Sequence, residues 1–542
     1  MSQRSLWLAA ACLLYLILTG YQLGLPGIHY DEAKEAGVNA VELLRGDPST
    51  PFRSAALDLF GRQFPLMVQD YIGALNVYLA LPALALSGVG VPNLRVIAVL
   101  AGLAVLPLAA LVVSAWQGFV QPRQDESGSL RWGGVVAAWL LATSPSFVFW
   151  SRQGIFVTNL MQPFSLLAIW FSLRWLAKGQ RRDLWWAMVA AGLALYAKLL
   201  ALWVIAPWLL LLAILWLQAY RQQRAPQLDA LTVAIAIILF LLPLTPLLLF
   251  NVQTGGTLQA LLSNAGQSYY GVDNLAFWRN GSVRLAQWAQ SLRGDHFWYL
   301  GGVYGNSLAP WLVAGGVVAG LVAAWRQMIV PLALLLMAVL LSCFTISDLF
   351  ITHYALLQPL TVMVAALGMG LAWQRWLLAQ WKQGHWLRWG PLLLVALWFV
   401  LDLRATLLYH QTLSNSGGLA DHSDASYHLA YHLRYNGMGA PITLDWGMDA
   451  PVRFLSENTV RPIEIFGYES PAAPDDAFVA RLEPFLDNPN NVYLLHAPEQ
   501  TVFAGRREVF LAEVAARGQV ATLERTFAQR DGTPLYELWR VE

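Results

Sequence analysis

The chain has 542 residues, of which 57% are hydrophobic and only 12% charged, and its mean hydropathy is +0.48. A soluble domain carries roughly 25% charged residues, so most of this chain must lie in lipid. A formal net charge of +1 gives no bulk pull towards nucleic acid, and Cys12 and Cys343, both inside apolar runs, argue against a disulfide framework or a thiolate metal site.

Apolar stretches of about 20 residues, the length that crosses a bilayer, fall at 5–23, 94–115, 133–150, 155–176, 184–198, 200–219, 230–250, 308–325, 328–346, 354–373 and 391–408, eleven in all. The first reads as an uncleaved helix, because no small-residue cleavage site follows it. The run 184–220 is too long for one span and is broken here at Lys198. Twelve basic residues share one side of this arrangement: Arg4, Arg123, Arg131, Lys178, Arg181, Arg182, Arg221, Arg224, Arg326, Arg375, Lys382 and Arg388. The short loops opposite hold Arg152 and Lys198. By the positive-inside rule the basic side is cytoplasmic, the N-terminus is inside, and the region after the last span is outside. The 25 tryptophans suit aromatic belts at both interfaces.

Three segments remain on the outer face. In the first, 24–93, the apolar spacing over 30–44 predicts an amphipathic helix lying on the membrane. Residues 64–86, apolar but carrying Gln69, Asp70 and Asn76 and punctuated by Pro65 and Pro82, read as interfacial or re-entrant; were they a span, all downstream topology would invert. The second outer segment, 251–307, is rich in Gly, Asn and aromatics, the composition of a binding loop. The third, 409–542, has the composition of a soluble domain. Strands are predicted at 441–445, 462–466 and 491–495, helices at 450–456, 475–486 and 507–518, and a terminal hairpin pairs 521–529 with 534–541. This alternation predicts a small α/β domain, and no Gly-rich phosphate loop opens any of its helices.

The residues best placed for chemistry are Asp31 and Glu32, adjacent carboxylates on a predicted helix start at the mouth of the membrane domain. Ionisable groups at the edge of a bilayer are costly to desolvate and are usually kept for a purpose. Such a carboxylate can deprotonate an acceptor hydroxyl or amine, or hold a divalent cation against a phosphate. The competing structural reading is that Asp31 caps the following helix.

The segment HYDEAKEAGVNAVELLRGD (29–47), followed by FPLMVQDYIGALNVYLALPALALSGVGVPNLRVIAVLAG (64–102), resembles the first outer loop and second helix of the GT-C glycosyltransferases. It is most similar to glycosyltransferase family 39, with its protein O-mannosyltransferases and lipid A aminoarabinose transferases. The shared pattern is an Asp-Glu pair opening a juxtamembrane helix, a Pro-aromatic stretch, a Gly turn and an Arg starting the next span, here Arg95. Further matches are WSRQG (150–154), GLALYAKLLALWVIAP (192–207) and THYALLQPL (352–360), so the resemblance covers about residues 5–410. It implies a polytopic α-helical GT-C fold of about eleven spans over 1–408, juxtamembrane helices in the first outer loop, and an extracytoplasmic α/β domain over 409–542.

The resemblance also implies roles. Asp31 would be the base that activates the acceptor, Glu32 its supporting partner, and Arg152, Lys198 and His353 would face the phosphate of a lipid-linked donor. A cation at an outer helix end suits that task, though Arg152 and Lys198 could instead snorkel to the headgroups and His353 could be an interfacial histidine with no catalytic part. The chain departs from the family where Thr158 and Asn159 stand in place of an acidic residue, and it lacks the His-rich metal signature of some relatives. Asp348, or Asp295 with His296, could complete a divalent-cation site; Asp273 and Asn274 read as turn residues. The implied activity is transfer of a sugar, with inversion, from a polyprenyl-phosphate donor to a lipid, glycan or protein acceptor at the outer face of the plasma membrane. Membrane lipids are the implied surroundings. The alternative is a transporter or flippase of lipid-linked saccharides, which fits less well because the charged residues gather at outer helix ends and not at the midplane, where transport sites lie. A degenerate family member serving as a partner subunit, with the acidic pair kept as a cap, is a third reading.

Overall fold

The computed structural model describes residues 2–118, 130–154, 158–378 and 389–542; Arg123, Lys382 and Arg388, used above to orient the spans, lie outside the described residues. All eleven apolar segments carry a helix. Among the described residues eight helices are long and apolar enough to cross a membrane, nine when Trp132–Thr143 and Pro145–Ser151, bent by 68°, are taken as one. Pro145 explains the bend, since a proline disfavours helical backbone in the residue before it, and Ser144 is extended.

Two further apolar segments are delimited by breaks. Arg181–Ala197 has 17 residues and ends at Lys198, whose backbone is extended (φ −162°, ψ 130°) before Leu202–Arg221 begins. The break falls at the residue chosen from the sequence. Ala309–Leu341 is interrupted at Ala324 (φ −159°, ψ 64°). There the chain folds back, because Met328 packs against Gly320; eight residues of straight helix would hold them about 12 Å apart. The doubled helix packs on Leu357–Leu378 through glycines, Gly316 and Gly320 meeting Gly368, the small-residue contact typical of helices in lipid.

In the first outer segment the chain makes two hairpins, Ala56–Leu59 with Arg62–Pro65 and Met67–Gln69 with Ile72–Gly73. Helix Leu75–Ser87 follows. Its 13 residues reach about 20 Å, short of the roughly 30 Å hydrocarbon core, so 64–86 holds no span.

Residues 30–45 are helical, but not as a helix lying on lipid. Tyr30–Glu32 is α, Ala33–Val38 is wound as a π-helix, and Asn39–Arg45 is α again, stopped by Gly46 at φ 72°. Ala33, Ala36, Ala40 and Val41 are buried, with Leu75–Ser87 packed on the segment and Asp449–Leu455 against it from the C-terminal region. The correction has a simple cause. The apolar side is built of Ala and Gly, with Phe454 seated on Gly37, and small residues admit protein where large ones would have met lipid.

After helix Gly390–Ser416 the C-terminal region forms a five-stranded mixed sheet. Its order is Ile463–Glu464, Ile442–Thr443, Val492–His496, Pro534–Val541, Ala521–Ala528. The first three strands run parallel and the terminal hairpin joins them antiparallel. Every strand and helix predicted there is present; helix Ala425–Tyr435 was not foreseen.

Any Cβ at Gly368 would collide with the Gly316 carbonyl. Gly368→Leu is therefore expected to destabilise the protein by about 1–3 kcal/mol, seen as a lower melting temperature in detergent, while Gly390→Leu, with open space around it, leaves the melt unchanged.

Candidate active site

The site is assembled on one buried ion pair. Arg95, near the start of helix Val91–Gly118, donates from Nε to Glu32 Oε1 and from Nη2 to Glu32 Oε2, both at 2.8 Å. Its remaining N–H groups reach the carbonyls of Leu23, Pro26 and Gly27. Glu32 Oε1 also accepts from the Gly154 N–H at 3.2 Å. Both side chains are sealed from solvent. A desolvated bidentate pair is strong only when its hydrogen bonds are all satisfied, and here they are. Glu32 is thus committed to joining the first outer segment to two other parts of the chain. It supports Asp31 through the backbone, since consecutive helical residues project about 100° apart.

Asp31 is not the helix cap. His29 is: its Nδ1 accepts from the Asp31 N–H at 3.2 Å. The His29 ring stacks on His422 (4.6 Å between centroids), and His422 stacks on Tyr299 (3.8 Å). Burial first, then the charges of His29 and Arg95, holds the His422 imidazole well below its usual range.

Released from capping, the Asp31 carboxylate stays partly open, at 16% exposure, with His29 Nδ1 3.7 Å away. Its charge acts on Glu35, Lys198, Tyr71 and Tyr270. Lys198 is brought here by backbone pairing. The extended break at Lys198 bridges Ile72, and the Leu199 N–H donates to the Tyr71 carbonyl at 3.0 Å. The lysine is buried in protein, which removes the snorkelling alternative. Glu35 is also buried and accepts from Gln69 Nε2 at 3.1 Å.

His353 lies within electrostatic reach of Lys198 and brings a residue that the sequence reading missed. Arg284, on helix Phe277–Arg293, sets Nη2 3.3 Å from His353 Nδ1 and donates to the carbonyls of Ser342 (2.7 Å) and Phe350 (3.1 Å). It lies over the Trp203 ring at 5.3 Å. Burial lowers its guanidinium to about 10, still charged at neutral pH. A lone Arg on the buried side of a strongly amphipathic outer-loop helix was the available signal.

Arg152 falls elsewhere. It is fully buried, with Nη2 on the carbonyls of Tyr21 (2.7 Å), Gln22 (2.6 Å) and Leu25 (3.1 Å) and Nη1 3.3 Å from His410 Nδ1. The charges it feels are those of Arg95 and Glu32, so it belongs with the ion pair and is not beside Lys198. Nor does it snorkel.

The cation ligands suggested by the sequence are dispersed. Asp295 pairs with Arg293 at 2.6 Å, and His296 lies against Trp150 with burial lowering its imidazole to about 3. Asp348 acts on Tyr270 and Arg284. Asp273 and Asn274 make turn contacts, as expected. Asn159 bonds the carbonyls of Trp150 and Gln153, while the Thr158 side chain lies outside the described residues. Among the described residues no group of three or more His, Cys, Asp or Glu is arranged to hold a metal ion, and the Asp31–Glu35 pair has a lysine beside it, a poor fit for a divalent cation.

The family model for dolichyl-phosphate-mannose-protein mannosyltransferases matches residues 129–244. The fold matches two crystal structures of ArnT from Cupriavidus metallidurans, one bound to undecaprenyl phosphate and one in the apo state. Each has a TM-score of 0.59 and 13% identity, over 98% of this chain and 97% of that one. No curated protein matches by sequence. The resemblance to GT-C glycosyltransferases is borne out: this is a multi-pass membrane protein with an ArnT-like GT-C fold and a small C-terminal sheet.

Arg95→Met leaves Glu32 buried without its counter-charge and should cost about 3–5 kcal/mol, measured as loss of folded protein on size exclusion and a lower melting temperature. Arg95→Met combined with Glu32→Gln is expected to recover part of that loss.

Proposed function

We propose that the protein is an inverting glycosyltransferase that moves a sugar from a polyprenyl-phosphate donor to an acceptor at the outer face of the plasma membrane. The observation that carries this reading is the contrast between two neighbouring carboxylates. Glu32 is locked by Arg95, whereas Asp31 is held by its backbone, is partly open, and has the buried Lys198 within electrostatic reach. The match to a family of lipid-phosphate-dependent mannosyltransferases and a fold shared with a protein crystallised with undecaprenyl phosphate support the donor class.

In this mechanism Asp31 takes the proton from the acceptor O–H or N–H. The acceptor attacks the anomeric carbon from the side opposite the phosphate, the carbon–oxygen bond to phosphate breaks, and the lipid phosphate leaves with the bonding pair. Lys198, with His353 and Arg284 beside it, stabilises the charge that develops on the leaving group. Arg152, its Nη2 on three carbonyls, holds the 21–25 turn in place and is not assigned to the phosphate. The site and the C-terminal region face outward, and that region forms a wall on the acceptor side. No metal step is needed.

Purified protein incubated with polyprenyl-phosphate sugars should release the lipid phosphate, followed by mass spectrometry. Asp31→Asn is expected to slow release by about 100-fold or more with an unchanged melting temperature. Lys198→Met is expected to raise KM for the donor. Sugar crossing sealed vesicles with no covalent product would establish the transporter reading instead.

A further inference from the structure

Glu35 stands out as a buried acid for which the transfer chemistry has no use. It lies in the π-wound segment Ala33–Val38, a type of winding that recurs at functional sites. Its exposure is 0%. Gln69 donates to Oε1 at 3.1 Å, while Oε2 is buried with no hydrogen-bond partner among the described residues. Glu32, three residues earlier, provides the comparison. It is equally buried, and there the charge is met by a bidentate arginine and a backbone N–H. A carboxylate removed from water needs donors of that number and strength, and Glu35 has one neutral amide.

The charged surroundings are defined. Asp31 opposes ionisation of Glu35, Lys198 and Lys34 favour it, and Tyr71 lies near enough to feel its charge. On the neighbouring helix Asp449–Leu455, Arg453 pairs with Glu42 and Asp449 faces Lys34 and Glu42. Helix Leu75–Ser87 carries no charge, and its Tyr78 hydroxyl donates to the Pro65 carbonyl. Burial first and Asp31 second outweigh the lysines, so the carboxyl is held well above its usual range.

We propose that Glu35 is a positioning residue for Asp31: a buried carboxylic acid whose proton leaves the negative charge of the pair on Asp31 alone, where the acceptor can reach it. While Glu35 is neutral, Lys198 feels the negative charge of one carboxylate, Asp31. When Glu35 ionises, a second negative charge enters the site and repels the donor phosphate. The site then loses donor affinity as pH rises, without losing its base. The kinetic part of this inference rests on Asp31 being the base; the protonation itself does not.

Infrared difference spectra between wild type and Glu35→Gln, recorded in detergent over a pH series, test the protonation. The carbonyl stretch of a protonated carboxylic acid is expected at neutral pH in wild type, absent in Glu35→Gln and titrating away at alkaline pH. In Asp31→Asn its midpoint should fall by about one pH unit as the neighbouring charge is lost. In the donor-release assay, KM should rise about tenfold across that titration in wild type and stay flat in Glu35→Gln, with kcat little changed. A difference spectrum without the band, or a midpoint indifferent to Asp31→Asn, overturns the proton assignment; an alkaline rise in KM that persists in Glu35→Gln overturns the positioning role. If the band behaves as expected but Asp31→Asn leaves transfer intact, the assignment of Asp31 as base fails while the proton on Glu35 stands.

Discussion

The architecture of the site depends on the Arg95–Glu32 pair. A guanidinium and a carboxylate buried together are worth keeping only if every donor and acceptor finds a partner, and the partners here come from separate regions. Arg95 takes the carbonyls of the turn after the first helix, and Glu32 takes the N–H of Gly154. The pair therefore fixes the start of helix Val91–Gly118, the 23–27 turn and the 152–154 turn against the juxtamembrane helix at once. Arg152 repeats the device one layer away by bonding the carbonyls of Tyr21, Gln22 and Leu25. Two arginines satisfy the backbone where the first span ends, and the acidic segment rests on them.

Adjacent carboxyl groups consequently meet three different environments within five residues. Glu32 is locked in a bidentate pair with Arg95. Asp31, turned about 100° away on the helix, stays partly exposed and within electrostatic reach of Lys198. Glu35 is buried with one amide donor. A single helical turn thus separates a carboxylate locked in an ion pair, one partly open to solvent and one buried beside a single amide donor, and position relative to the protein interior decides which is which.

Much of this organisation was legible in the sequence. Hydropathy located all eleven apolar helices, and Lys198 interrupts the long run 184–220 because a buried lysine there is accommodated by extended backbone. Alternation of apolar and polar residues located the strands of the C-terminal sheet. What stayed hidden are pairings over long sequence distances. Arg95 was recognised as part of a pattern, but its bond to Glu32 spans 63 residues and has no local signature. His29 displaced Asp31 as the cap, although Asp is ordinarily the better capping residue, because stacking on His422 holds the imidazole in place. Arg284 showed only its place on the buried side of an amphipathic helix: its value comes from His353, Trp203 and two loop carbonyls, all distant in sequence. The helix over 30–45 was misplaced on lipid because hydropathy cannot tell a surface facing acyl chains from one facing Phe454.

That last point bears on the C-terminal region, which is attached to the site and not merely tethered to the last span. Arg453 pairs with Glu42 and Arg461 with Asp47 (3.2 Å), both acids belonging to the first outer segment. Trp446 packs on Tyr30 at 4.8 Å, one residue before Asp31. Trp446 is itself held by the loop after strand Ile442–Thr443, where Asp445 accepts from the N–H groups of Trp446, Val502 and Phe503 and from His496. Every bond in that chain is local to the domain until Trp446 reaches across. The small sheet thus serves as a rigid mount for one indole, and through it for Tyr30, the residue beside Asp31. If Asp31 is the base proposed above, the loop Asp445–Asp449, whose Trp446 packs on Tyr30, is the part of the C-terminal region placed to touch its acceptor.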